Sequence, residues 1–585
     1  MQPLGAIQNR MRRWLFGRGF ALWYDPRYRL PLPSLEARRG VDARRPDFAA
    51  WFLLERGALA PGQVHKPARI SYDDMARVHS AELLESLDRP ETLARIYSVA
   101  PGDVPAEELL TAVRLACGGT LQAARSCLRP PVAGSAARRE LNLSGGFHHA
   151  GRARNGGFCP VNDVAIAVAA LRHDGFRGRV AVLDLDAHAP DGTADCLRED
   201  GEVWMGSISG ADWGPLPGVD ETVLPKGAGD VEYLGALDAL LSRMPQAQLA
   251  FVLAGGDVLA GDALGRLGLS LEGARERDLR VVDALHRVPS VWLPAGGYGP
   301  DAWKALAGTG LALAARSRAK VPADYDPLAQ RYSRIAARLT PAELGPPAGE
   351  DEMLLAELGQ RSARPLLLGF YSAEGLELAL SRYGLLAELR RLGYGPFRAT
   401  VSNQAVGDRA QLFGRAQGGE EHLLIECVVE KREVAGEPVL YVHWLTLRHP
   451  LARFSPQRPP LPDQEVPGLG LAREITTLFA RMAERLELAG VAFRPAAFHT
   501  AYAGRAQLRF VDPARQGRFE ALVRDLQGIP LVAATVAVAS GRVMLAGQPY
   551  PWEPDEMVLW RSPHAQDAEA IAAAREAARF TVRGL

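Results

Sequence analysis

Three short apolar runs restrict what this 585-residue chain can fold into. They are RVAVLDL (Arg179–Leu185), LAFVL (Leu249–Leu253) and VPSVWL (Val288–Leu293). Each is rich in β-branched or aromatic residues and lacks polar alternation, as a parallel strand covered on both faces should be. Helical periodicity lies between and beyond them, over 162–172, 230–244, 271–285 and 301–315. Such alternation predicts an α/β fold with a doubly wound, mostly parallel sheet. Each run also ends in a turn bearing a reactive side chain: DAH at Asp186 and His188, AGGD at Asp257, PAGGY at Tyr298. Open α/β sheets bind their ligands at that carboxyl edge.

The stretch VLDLDAHAPDGT (Val182–Thr193) carries the densest chemistry. Asp184, Asp186 and His188 are spaced by two, so in an extended segment they leave on one face. A carboxylate and an imidazole converging past a strand end suit a divalent ion, Zn²⁺ first, because zinc takes His nitrogen and Asp oxygen together. Asp184 is placed to orient a ligand or a nearby histidine. Upstream, GGFHHAG puts His148 and His149 side by side in a glycine-rich loop. Asp, His and Asp for a metal, a His pair for proton transfer and a Tyr together suit a hydrolytic metal site.

In order along the chain, GGFHHA, GFCPVND (Gly157–Asp163), DLDAHAPDGT, GGDVLAGDALGRLGLS (Gly255–Ser270) and AGGYG resemble the zinc-dependent histone deacetylase family, of the arginase/deacetylase fold. The resemblance spans roughly residues 19–325, and five ordered motifs are far more specific than one. It implies Asp186, His188 and Asp257 as zinc ligands. It implies His148 and His149 as the catalytic pair, oriented by Asp184 and Asp191, and Tyr298 as the donor to the substrate carbonyl. Gly157, Phe158, Leu216 and Leu264 are implied to line the substrate channel. A potassium ion is implied near Asp184, held by backbone oxygens around those of His188 and Ser207. The chain departs from the family pattern at Ala189-Pro190, usually His-Gly, where Pro190 fixes φ and removes an N–H. It departs again at Leu216, often aromatic in the family.

By the same resemblance, zinc activates a water, His149 takes its proton and passes one to the leaving amine, and acetyl- or acyl-lysine is the substrate. A small acylamine such as an acetylpolyamine is the alternative. An acidic residue at position 264 would suit a polycation, and Leu264 is apolar. A third reading, an acyl-lysine-binding scaffold silenced at Ala189-Pro190, has the complete ligand set against it.

Lys+Arg and Asp+Glu balance at 68 each, so bulk charge gives no case for nucleic acid. No apolar run approaches the ~18 residues of a membrane span. Five cysteines without close pairing point to a reduced, cytoplasmic compartment. Residues 1–17, broken by arginines, read as a surface helix rather than a signal peptide, with the first strand at 20–24. Residues 72–88 and 105–128 are helical. His79 reads as a packed structural histidine, and Cys159 as a small buried hydrophobe.

The first domain is expected over 1–343, closed by a helix over 327–339. A Pro/Gly/acidic linker is expected over 344–352, and an α+β domain over 353–585. In the latter, 373–392 reads as one helix, 423–431 and 439–446 as strands, 471–489 as a helix, 491–493 as a strand, and two strands meet at Ser540-Gly541. The glycine pair of Glu465-x-x-Gly468-x-Gly470 before a helix loosely resembles the pyrophosphate loop of GNAT-type acyltransferases.

Overall fold

A computed structural model describes residues 3–16, 19–32, 35, 42–130, 137–211, 214–345, 365–454, 459–462, 464–562 and 567–584. The chain forms two compact units, Met1–Pro327 and Leu328–Leu585.

The first unit is built on eight strands: β1 (Phe20–Trp23), β2 (Val64–His65), β3 (Arg139–Asn142), β4 (Val180–Asp184), β5 (Val203–Ser209), β6 (Val219–Val223), β7 (Leu249–Leu253) and β8 (Ser290–Leu293). Their order is β2-β1-β3-β8-β7-β4-β5-β6, and every pairing is parallel. All residues of β4 and β7 are buried, which explains why β7 and the first four residues of β4 are apolar, Asp184 at the end of β4 being the exception; each fully buried Val or Leu contributes about 1.5–3 kcal/mol. From β4 the chain winds to β5 and β6, then returns to β7 and winds the other way to β8. The switch point therefore falls between β4 and β7, where a crevice opens at the strands' carboxyl ends.

Local structure follows the sequence with instructive exceptions. The expected 72–88 helix is two, Tyr72–Ala76 and Ala81–Ser86, because Ser80 starts a second one by accepting from Leu83 N–H. Between them the ring of His79 bridges Gly151 O and Asn162 N, each at 2.9 Å. It accepts from the latter, and burial pushes its pKa down to about 4, so it is a neutral packing group.

In the second unit, β9 (Tyr394–Asn403), β10 (Asp408–Ala416), β11 (Glu421–Val434) and β12 (Glu437–Leu447) form an antiparallel meander. The helix Ala472–Arg485 crosses over to β13 (Gly490–Phe493), parallel to β12. With β14 (Arg509–Phe510) and β17 (Met557–Trp560) they make a seven-stranded sheet, order β14-β17-β13-β12-β11-β10-β9. A three-stranded sheet holds β15 (Val543–Leu545), β16 (Gln548–Pro549) and β18 (Phe580–Val582).

The helix Pro327–Ala336, expected to close the first domain, belongs to this unit: Tyr332 packs on Tyr383, and Ala336 O accepts from Arg485 at 2.6 Å. Of the expected linker, Leu344 and Gly345 end the helix Pro341–Leu344, and 346–352 lie outside the described residues. The expected 373–392 helix breaks at Gly384, whose φ of 91° ends Ala373–Tyr383 before Leu385–Arg391 begins. Of two strands expected at Ser540-Gly541, the first is a helix, Leu531–Ala539. Its sequence, LVAATVAVA, is apolar all round, and periodicity cannot separate a buried strand from a buried helix there.

Candidate active site

Four neighbouring strands, β3, β8, β7 and β4, deliver the reactive side chains to one edge. Past β4, Asp186 and His188 turn inward; past β7, Asp257 meets them. His188 Nδ1 lies 3.0 Å from Asp186 Oδ1 and 3.0 Å from Asp257 Oδ2. One ligand atom from each of the three lies within 4.8 Å of the others, and both carboxylates are fully buried. This is the constellation that could hold a metal ion. Backbone donors fix it: Ala187 N–H to Asp257 Oδ1 at 3.0 Å, and Gly296 N–H to Asp186 Oδ2 at 2.6 Å. The AGGD and AGGY glycines are required by closeness. A Cβ at Gly255 would sit 2.7 Å from oxygens of both Asp186 and Asp257, and one at Gly296 would be closer still.

Burial and the Asp186 charge push Asp257 up to about 7. Asp186, despite burial, is held well below the carboxylate range by His148 and His188. Two carboxylates and an imidazole pressed together thus share their charge unevenly without a cation.

The loop after β3 carries the His pair, with ring centroids 4.1 Å apart. His148 Nδ1 bonds Asp184 Oδ2 at 2.9 Å; His149 Nδ1 bonds Asp191 Oδ1 at 2.7 Å. Their environments differ. Burial opposes charge on His148, but Asp184 and Asp186 outweigh it and raise its pKa to about 9. Burial and the adjacent His148 charge lower His149 to about 4, against the pull of Asp191, whose second oxygen is taken by Arg154 at 2.7 Å. One imidazole is set up to stay charged and its neighbour to stay neutral.

Tyr298 and Phe158 pack with ring centroids 5.4 Å apart. They share a cavity of about 110 Å³ with Gly157, His148 and Cys159. Cys159 is buried, and its thiol is pushed well above the usual range by burial. Leu216 and Leu264 are half-buried and are not among the residues lining this cavity. Ser207 is buried and pairs in register with Asp184 across β4 and β5; its Oγ has no hydrogen-bond partner.

Sequence reasoning missed four residues that set this geometry. Asp262 accepts from Tyr298 N–H at 2.7 Å and from Leu264 and Gly265 N–H at 2.9 and 3.0 Å. Arg45 donates to Ala295 O at 2.9 Å and Gly296 O at 2.8 Å, holding Ala295 at a left-handed φ of 42°. Asp163, fully buried, accepts from Gly146 and Phe147 N–H and fixes the His148 loop. Arg277 donates to Leu185 O and Gly255 O, tying the ends of β4 and β7 together. Three of the four act mainly on backbone atoms distant in sequence, which no spacing motif reports. The GD pair at Gly261-Asp262 was the available signal for Asp262.

The family described as the histone deacetylase domain matches residues 42–312. The chain is 31% identical to histone deacetylase 2 of Arabidopsis thaliana over 295 residues, 47% of this chain and 73% of that protein. It is 30% identical to an uncharacterized protein of Picosynechococcus over 302 residues, 48% of this chain and 92% of that one. A solved histone deacetylase homolog from Aquifex aeolicus aligns at 23% identity with a TM-score of 0.41, covering 52% of this chain and 85% of that chain. With its parallel sheet, its Asp-His-Asp cluster and its carboxylate-paired histidines carried on the matching segment, the chain belongs to the histone deacetylase family.

Proposed function

We propose that the first unit is a zinc-dependent amidohydrolase that removes the acyl group from acetyl- or acyl-lysine in a peptide or protein. One observation carries this: His188 Nδ1 lies 3.0 Å from both Asp186 and Asp257, beside two histidines that each have their own carboxylate. The donor set of one imidazole nitrogen and two carboxylates suits Zn²⁺. A carboxylate raised to about 7 by burial first and by the Asp186 charge second is one that a cation would relieve. Bound there, zinc supplies Lewis acidity toward an amide carbonyl and a water.

This chain's residues do the rest. His149, neutral and anchored through Nδ1 to Asp191, uses Nε2 to take the water's proton and return one to the leaving amine. His148 stays charged beside Asp184 and stabilises negative charge developing at the carbonyl. Tyr298 donates its hydroxyl proton in a hydrogen bond to that oxygen, and Phe158 with Gly157 forms the channel wall. Free amine and carboxylate are the products. Ser207 Oγ, buried without a partner beside Asp184, fits an oxygen-coordinated potassium ion. Five free, buried cysteines suit a reducing compartment such as the cytoplasm. A panel of acyl-lysine peptides and acetylpolyamines, assayed with and without chelator, tests the reading; chelator-resistant turnover refutes it.

A second reading concerns the second unit, an acyltransferase-like module that takes an acyl-coenzyme A. β12 and β13 pair over only four residues, Val439–Val442 with Gly490–Phe493. At His443 β12 bulges, since Val428 faces Trp444 while Val429 faces Val442, and β12 then runs on to Leu447 without β13. An open strand edge accepts an extended, amide-bearing arm. The crossover helix Ala472–Arg485 starts just after Gly470, at φ 72°, and its N-cap residue, Leu471, has no side chain that could cap it; a glycine turn into a helix N-terminus suits a diphosphate. Titration of the full chain with acetyl-coenzyme A tests this. Binding unaffected by Gly470→Val would put the ligand elsewhere.

A further inference from the structure

The helix Pro3–Phe16 is docked the wrong way round for a soluble surface helix. Turning about 100° per residue, it sets Ile7, Met11, Trp14 and Leu15 within an arc of about 100°, with Asn9 opposite. An ordinary amphipathic helix buries its apolar arc. Here Ile7, Met11, Trp14 and Leu15 are 51, 63, 67 and 57% exposed, while Asn9 is buried at 6%. The polar side holds the helix to the fold. Asn9 Nδ2 donates to Arg56 O at 3.2 Å, Arg12 to Ala315 O at 3.0 Å and Arg316 O at 2.9 Å, and Arg13 to Gly57 O at 3.1 Å. These bonds lie along three sides of the polar arc and orient the apolar arc outward.

Charge identifies what covers that arc. Residues 1–24 contain four arginines and no Asp or Glu, within a chain whose total charge is zero. Arg10 is exposed at the edge of the apolar arc. Arg13 and Trp14 also line a cavity of about 820 Å³ whose other lining includes Arg129, Arg138 and Arg125, the last already paired with Asp174 at 2.8 Å. Among the described residues, the one carboxylate lining it, Glu140, is already engaged by Trp23 Nε1 and Ser126 Oγ. An apolar stripe with a tryptophan, flanked by arginines and joined to an arginine-lined recess, matches the layering of an anionic bilayer surface: acyl chains for the stripe, phosphate headgroups for the arginines. A protein partner's groove or a second copy of this helix would satisfy the apolar arc but would bring no anion to Arg129 and Arg138 in the adjoining recess.

We propose that this helix docks the protein on anionic membrane surfaces, as a peripheral contact; among the described residues no helix is long and apolar enough to cross a membrane. The proposal does not depend on the deacylase reading. The test is flotation of the full-length protein with vesicles of phosphatidylcholine alone or with about a third phosphatidylserine, at low and high salt. Two variants accompany it, Trp14→Glu and Arg10→Glu, each checked for an unchanged melting temperature. The expected result is at least about fivefold more protein on the anionic vesicles, lost at high salt. Each variant should reduce binding by at least that factor. Arg10→Glu serves alone if Trp14→Glu does not fold. Equal partition to both vesicle types, or none to either, overturns the proposal. So does a protein that ignores vesicles but dimerises in light scattering, with the dimer lost in Trp14→Glu, since that outcome assigns the face to a second copy.

Discussion

Asp262→Asn isolates what positions Tyr298. The carboxylate of Asp262 divides its work: Oδ2 accepts from Tyr298 N–H at 2.7 Å, and Oδ1 accepts from Leu264 and Gly265 N–H at 2.9 and 3.0 Å. An asparagine has one acceptor oxygen. If that oxygen keeps the Leu264 and Gly265 donors, its NH₂ faces the Tyr298 N–H, donor against donor. A hydrogen bond to a charged group is worth about 1.5–3 kcal/mol. Asp262 is half-exposed and water can replace part of the loss, so stability should fall by about 1–2 kcal/mol. The larger effect is on rate. A displacement of about 1 Å at a catalytic group costs ~10²-fold. Arg45 still holds the same loop through Ala295 O and Gly296 O, so the expected fall in kcat is about 10–30-fold, with KM within about threefold. Zinc content should not change, because Asp262 bonds none of the three ligands. The assay is steady-state deacylation in four backgrounds: wild type, Asp262→Asn, Tyr298→Phe and the double variant. If Asp262 acts through Tyr298, the double variant should be no slower than Tyr298→Phe alone. A kcat within about twofold of wild type for Asp262→Asn, or fully multiplicative losses in the double variant, refutes the reasoning.

Three further outcomes are expected. Asp257→Ala should lose both zinc, read by elemental analysis at about one ion per wild-type chain, and all activity; a variant with normal zinc content would show the ligand set to be wrong. Tyr298→Phe should keep fold and zinc but lose ~10²–10³ in kcat, more than KM rises; retention of over half the rate would leave carbonyl polarisation to the metal. A fragment ending at residue 326 should fold and deacylate, whereas one ending at 343 should be less soluble. The longer one carries Leu328 and Tyr332, both 2% exposed in the full chain, without the second unit they pack into. Equal solubility would move the functional boundary back to residue 343.

The metal cluster was legible because its chemistry sits directly on strand ends that announce themselves. β7 is apolar throughout and β4 is apolar up to its last residue, Asp184, and the polar residues at and beyond these strand ends have no reason to be there except the site. β3, which delivers the His pair, was not legible. Its sequence is RELN, and all four residues are buried. Such a strand survives because Glu140 is matched by Trp23 Nε1 and Ser126 Oγ, and Asn142 by Tyr28 OH, Ala116 O and Thr120 Oγ1. Pattern reading assumes that buried means apolar; here the buried Glu140 and Asn142 are satisfied instead. Asp262 and Arg45 were invisible for a related reason. Their partners are largely backbone groups up to 251 residues away, and a backbone carbonyl leaves no trace in the sequence. In the second unit, the Leu531–Ala539 helix shows the reverse failure, an apolar run with no polar face to give it a period.

Pro190 is where the sequence gives most reason to doubt the site, and its backbone geometry supports a structural role. A proline two residues past a metal ligand could reshape the loop by fixing φ and deleting a donor. Here Pro190 lies at φ −81°, a value its ring favours, as the residue that starts the helix Asp191–Leu197. An N–H at that position has no bond within the helix, so its absence costs little. Its carbonyl still accepts from Ala194 N–H at 2.9 Å, and the helix it starts carries Asp191, the partner of His149. His188, on the other side, keeps 3.0 Å to both carboxylates. The proline therefore stiffens the joint between a metal ligand and the residue that orients the His pair, and its effect should be on stability. Pro190→Gly returns freedom to the unfolded chain, which should cost about 0.4–1 kcal/mol or slightly more. The melting temperature should fall by a few degrees while kcat stays within about threefold. A tenfold loss of kcat without a change in melting temperature would mean that Pro190 shapes the site itself, and the scaffold reading would regain its footing.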